Sequence, residues 1–137
     1  MVFDTSIKDK NIKKEINNIV GTPFNVFQLF KVGAIGSVRM EVGAYSQLFS
    51  KIMSWDKQSV YANISLRPKG IIVVINVRLS NYSWVIPYHH LSIFKTDLLS
   101  IHSQGEYIKL VMPKDHKLTI LDKILKHKSD YLTNSMG

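Results

Sequence analysis

Residues 60–79, Val60-Tyr61-Ala62-Asn63-Ile64-Ser65-Leu66-Arg67-Pro68-Lys69-Gly70-Ile71-Ile72-Val73-Val74-Ile75-Asn76-Val77-Arg78-Leu79, change character every second residue. On a strand that alternation puts Val60, Ala62, Ile64 and Leu66 on one face and Tyr61, Asn63, Ser65 and Arg67 on the other. Arg67-Pro68-Lys69-Gly70 has proline and glycine where a type I turn takes them, so the next strand doubles back as a hairpin. Along 71–79, Ile71, Val73, Ile75, Val77 and Leu79 continue the inward face. Ile72 and Val74 make the first half apolar on both sides, which predicts the most deeply covered strand of the sheet.

The pattern runs on to Met112. Ser80-Asn81-Tyr82-Ser83 reads as a loop, and Trp84, Ile86 and Tyr88 as one face of another strand. Pro87 has no amide hydrogen, so that strand ends there or lies at an edge. Leu91 and Ile93 open the next piece, Thr96-Asp97 turns it, and Leu99 and Ile101 keep the inward pattern. Ser103-Gln104-Gly105-Glu106 is a hairpin turn ahead of Ile108, Leu110 and Met112, and Pro113 ends the run. Thr119 and Asp122 then suggest a capping box, starting a helix with Leu121, Ile124, Leu125, Tyr131 and Leu132 on about one face.

Upstream of the strands the spacing is helical. Ile12, Ile16, Ile19 and Val20 form the apolar stripe of an amphipathic helix that Gly21 stops. Thr22-Pro23 breaks the chain, and Phe24, Val26, Phe27, Leu29 and Phe30 read as a buried strand over 24–31. Ile35, Val38, Val42, Tyr45, Phe49 and Ile52 alternate spacings of three and four, which predicts a helix over 34–54. Gly36 and Gly43 weigh against it, each costing about 1 kcal/mol in a helix interior. The stripe is read first as packing on the protein's own sheet. Its near-heptad spacing also makes these six residues the candidate interface of a homo-oligomer.

The order from Val60 onward is consecutive hairpins, then Trp84-Val85-Ile86-Pro87-Tyr88 leading to Leu91-Ser92-Ile93, a hairpin around Gly105 and a closing helix. It resembles bacterial pleckstrin-homology-like domains, over about residues 60–132. The resemblance implies an α+β fold: a curled antiparallel sheet or open barrel of about seven strands, counting 24–31, capped by the C-terminal helix. The two N-proximal helices are additions to it. It also implies a non-catalytic role. Phosphoinositide-binding members resemble one another in a basic loop between their first two strands. Here that connection holds only Arg39, Lys51 and Lys57, widely dispersed, so no binding residue is carried over.

With 137 residues, 45% of them hydrophobic, the chain is expected to form one domain over 1–137. It has no cysteine, which fits a reducing compartment and leaves neither disulfide nor thiolate chemistry. Asp4, Lys8, Asp9 and Lys10 interrupt any leader-like apolar run, so the expected location is cytoplasmic. The formal charge is +8. Residues 1–20 hold four lysines against three acids and 106–137 six against four, while 21–105 hold eight basic residues against three acids. The expected partners are therefore a protein or an anionic membrane surface. Arg67 and Lys69 at the first hairpin turn, with Arg78 near the end of the next strand, are the candidate ligand-binding residues. Nucleic acid ranks below these partners, because only Tyr61 with Arg67 and Tyr107 with Lys109 pair an aromatic ring with a cation on a strand.

Catalytic signatures are missing from the sequence. His89 and His90 would point to opposite faces of a strand, and His116 and His127 are too far apart on a helix to share an ion. His102 is expected on the outward face. No metal site and no cofactor are expected, and Gly33-Ala34-Ile35-Gly36 matches an RNA-contacting Gly-x-x-Gly only with apolar residues at its centre. An enzyme is not expected.

Overall fold

The alternating stretch folds as a hairpin in the computed structural model of the chain, which describes residues 1–33, 35–37, 39–53, 60–112 and 119–136. The elements are β1 (Val2–Asp4), α1 (Lys10–Val20), α2 (Val26–Val32), β2 (Met40–Tyr45), a 3-10 turn (Gln47–Phe49), α3 (Ser50–Met53), β3 (Tyr61–Arg67), β4 (Gly70–Val77) and β5 (Ser80–Pro87). A second 3-10 turn (Tyr88–His90), β6 (Ser92–Lys95), β7 (Leu99–Ser103), β8 (Glu106–Val111) and α4 (Thr119–Met136) follow. The eight strands form one antiparallel sheet in the order β1-β5-β4-β3-β2-β8-β7-β6. It is not closed: β1 and β6 are its edges.

Two meanders build that sheet, β2 to β5 and β6 to β8, joined where β2 lies against β8. Arg67 opposes Gly70, leaving Pro68-Lys69 as a two-residue turn, and Ser103 opposes Glu106. Between the latter, Gln104 and Gly105 both have positive φ (50° and 82°), the pairing that suits the twist of a tight hairpin. The expected inward positions are inward. Ala62, Ile64, Leu66, Ile71, Val73, Ile75, Ile86, Ile101, Ile108 and Leu110 have no accessible surface, each of the Val, Leu and Ile side chains being worth roughly 1.5–3 kcal/mol of transfer free energy against exposure. From α4, Ile120 and Ile124 complete this inner core, with Leu121 and Tyr131 packed on it.

The outer face of β4 and β5 is covered as well. Ile16 and Val20 of α1 bury Ile72 and Val85 in a second cluster, with Phe3, Ile12, Ile19 and Val74 around it. This is why β4 is apolar on both sides. Contact is close enough that a Cβ on Gly70 would stand 2.2 Å from the Ile86 carbonyl oxygen and 2.7 Å from Val20 Cγ1.

Several expectations are corrected. Residues 24–31 do not form a strand; Val26–Val32 is helical, because Asn25 and Gln28 cap it reciprocally. The helix over 34–54 is replaced by strand β2, a 3-10 turn and the four-residue α3. Ser80-Asn81-Tyr82-Ser83 is strand, not loop, because all four residues pair with β4, and Val2–Asp4 adds an eighth strand alongside Tyr82–Trp84. The turn falls instead at Arg78-Leu79, with Arg78 at φ 53° and Leu79 in solvent rather than inward. On α4, Leu125 is exposed and Ile120 takes its place in the core. The expectations for Val38, Pro113, His116 and the Thr119 cap lie outside the described residues or side chains.

Candidate anion-binding cleft

The chain enters α1 across the edge of the sheet, and that crossing makes a cleft. Thr5 and Ser6 are tied to β5: Thr5 Oγ1 lies 2.9 Å from Ser83 Oγ, and Ser6 Oγ accepts from the Asn81 amide at 2.9 Å. Three residues later Asp9 caps α1, its Oδ1 accepting from the amides of Asn11 (2.8 Å) and Ile12 (3.4 Å). Between the crossing segment, the first turns of α1 and Arg67 lies a cleft of about 530 Å³. Ile7, Ile12 and Ile16 supply apolar walls; Lys8, Lys10, Lys13 and Arg67 supply four cations against one carboxylate, Asp9.

Arg67 is the half-buried member of that set. Its Nη1 donates to Asn17 Oδ1 (2.9 Å) and to the Gly21 carbonyl (2.8 Å), so the guanidinium closes the C-terminal end of α1. Burial lowers its pKa, though an arginine that starts so high stays charged. The Lys69 amide donates to the Val20 carbonyl at 2.8 Å, and the Lys69 stem runs beside Gly21, where a Cβ would meet Cγ at 3.5 Å. The structure thus brings Arg67 and Lys69 together at the end of α1. Arg78 lies at the far end of β4, roughly 23 Å away at about 3.3 Å per residue.

The five described residues of the candidate oligomer interface do not share a face. Phe49 is wholly buried, its ring edge-on to Trp84 with centroids 4.9 Å apart. Ile35, Val42 and Ile52 are partly buried against the inner core, Tyr45 is exposed, and Val38 lies outside the described residues.

Of the aromatic–cation pairs, Lys109 does stand over Tyr107 at 5.6 Å, but Tyr61 is met by Arg39 at 4.8 Å instead of Arg67. His102 is not freely outward: it stacks on Phe94 at 5.2 Å, beside Tyr107 at 5.7 Å. His89 and His90 sit on a 3-10 turn rather than a strand, rings 4.1 Å apart and exposed. His127 Nδ1 lies 2.8 Å from the Lys123 carbonyl oxygen. Among the described residues no group of three His, Asp or Glu is placed to hold a metal ion.

Sequence reasoning missed Lys8, Lys10 and Lys13 as a group. Lys10 and Lys13 are three apart, neighbours on a helix surface, but the acids interleaved with them hid the local excess. What distinguishes Asp9 is its position at the cap, and a cap is recognised only once the helix start is fixed.

No family model matches the chain, and no curated protein or solved structure matches it. Among the described residues no helix is long and apolar enough to cross a membrane.

Proposed function

We propose that the chain is a non-catalytic binding module of pleckstrin-homology-like type that docks through the α1 cleft on an anionic membrane surface in the cytoplasm. The strand pattern supports the family part of this reading. Seven strands, β2 to β8, form two antiparallel meanders with α4 over the inner core, comparable to the sheet and closing helix that the resemblance implies, with β2 in place of the strand expected over 24–31 and with β1 and α1 as additions.

The cleft is the observation that carries the binding part. Its one hydroxyl, on Thr5, and its one carboxylate, on Asp9, are both hydrogen-bonded to the protein, which leaves lysines and isoleucines facing the space. Such a lining attracts and holds an anionic surface; it offers no acid–base pair to make or break bonds. Cytoplasmic leaflets carry a negative potential worth about 1 kcal/mol for each basic residue close to the surface.

Co-sedimentation with phosphatidylcholine vesicles, with and without phosphatidylserine, tests the reading. Wild type should bind only the serine-containing vesicles, and the Lys8→Glu/Lys10→Glu/Lys13→Glu variant should bind them on the order of a hundredfold more weakly at about 1 kcal/mol per lysine. Undiminished binding by the variant rejects the cleft. Binding to polyglutamate without binding to vesicles identifies an acidic protein as the partner instead.

A further inference from the structure

Helix α2 leaves three large apolar side chains in water. Val26, Phe27 and Phe30 are 68%, 82% and 85% exposed, and at about 100° per residue they fall within one arc of roughly 100°. A seven-residue helix does not persist alone in water, yet this one is fixed at both ends. Asn25 Oδ1 accepts from the Gln28 amide (2.8 Å), Gln28 Oε1 from the Asn25 amide (2.9 Å), and the Gly33 amide donates to the Leu29 carbonyl (2.8 Å). Phe24 anchors its base edge-on to His127 of α4, with ring centroids 6.1 Å apart. The result is a rigid, outward-pointing apolar ridge.

The occupant of that ridge follows from charge and area. No acid occurs between Glu15 and Glu41, and α4 alongside carries Lys123, Lys126 and Lys128 against Asp122 and Asp130. A second copy would bring the same net charge of +8 to a self-complementary contact, which repels. Two phenylalanines and a valine also offer only about 400–500 Å², short of the roughly 800 Å² per partner of a stable protein interface. A bilayer needs neither that area nor a matching pocket, and an anionic one complements the charge.

We propose that Val26, Phe27 and Phe30 are an interfacial anchor that enters the boundary between headgroups and acyl chains of an anionic bilayer. This rests on the reading that the partner is a membrane surface, and adds to it the element that inserts.

The absence of cysteine makes the test direct: an environment-sensitive fluorophore on Val26→Cys, and co-sedimentation of Phe27→Ser/Phe30→Ser beside the cleft variant. With phosphatidylcholine–phosphatidylserine vesicles the label should shift to the blue. The double variant should keep its thermal midpoint and bind at least tenfold more weakly. Raising the salt to about 1 M, where the Debye length falls to roughly 3 Å, should weaken wild type as well, because the cleft lysines supply the attraction to the serine headgroups. Wild-type affinity in the double variant, or sedimentation without a blue shift, overturns the anchor; if the cleft variant then still loses binding, the docking reading stands without it. Binding to polyglutamate alone overturns both. A vesicle-free dimer that Phe27→Ser/Phe30→Ser dissociates assigns the ridge to a second copy and overturns the anchor.

Discussion

Gly70 has no side chain because there is no space for one. A Cβ there would meet the Ile86 carbonyl oxygen, Val20 Cγ1 and Pro87 Cα at 2.2, 2.7 and 2.8 Å, two of them backbone atoms that cannot swing aside. Gly70→Ala should therefore cost about 3 kcal/mol or more, the upper end for overpacking, read as a fall in the denaturant midpoint. Tyr88 is the opposite case, a large side chain with no accessible surface whose hydroxyl donates to the Arg67 carbonyl at 2.9 Å. Burial pushes its phenol well above the usual value. The unfolded chain releases that proton near pH 10 and the folded chain holds it, so stability from this group is complete below about pH 10. Above that it falls by on the order of 1.4 kcal/mol per pH unit. Tyr88→Phe should remove this part of the alkaline slope and cost about 0.5–1.5 kcal/mol at neutral pH through the lost hydrogen bond. An unchanged alkaline denaturation curve would contradict the assignment.

At the scale of elements, strands with regular alternation were legible and those with an irregularity were not. β3 follows the two-residue period throughout and β4 keeps it on its inward face to Val77, so the turn between them was readable. β2 has a register shift between Val42 and Ala44 against β8. With Gly43 at that irregularity and a 3-10 turn after it, the apolar residues fall three and four apart and imitate a helix. α2 was misread for another reason: an apolar run was assumed to be buried, and its Asn25–Gln28 capping pair was overlooked. The start of β5 is polar, and Arg78-Leu79 contains none of the usual turn residues, so no local signal marked it. Of the candidate site, Arg67 was found because it sits beside a visible turn; the lysines of α1 come together with it only through tertiary packing. The two ends of the misread 34–54 stretch can be separated by substitution. Phe49→Asp buries a carboxylate in the inner core and should prevent folding. Tyr45→Lys, on an exposed position, should change stability by about 0.5 kcal/mol or less. Arg67→Gln should loosen the end of α1 by roughly 1.5–3 kcal/mol through the loss of two charged hydrogen bonds, seen as faster amide exchange in α1 than in α4.

For the whole molecule, one sheet serves two purposes. Its inner face is closed over by α4 and α3, which fixes the fold, while α1 on the outer face holds a row of lysines at a cleft rim. Charge and shape then act together. On the proposed reading, the net charge of +8 would bring the protein to an anionic surface over about a Debye length, and the cleft would set its orientation there. Amide hydrogen exchange with and without phosphatidylserine vesicles tests this most directly, because it reports which backbone meets the surface. Slowed exchange is expected at residues 6–10, four of which line the cleft, and unchanged exchange at the β6 edge, at the far end of the sheet order. Slowing confined to β6 and β7, or none at residues 6–10 while the protein is vesicle-bound, would contradict it.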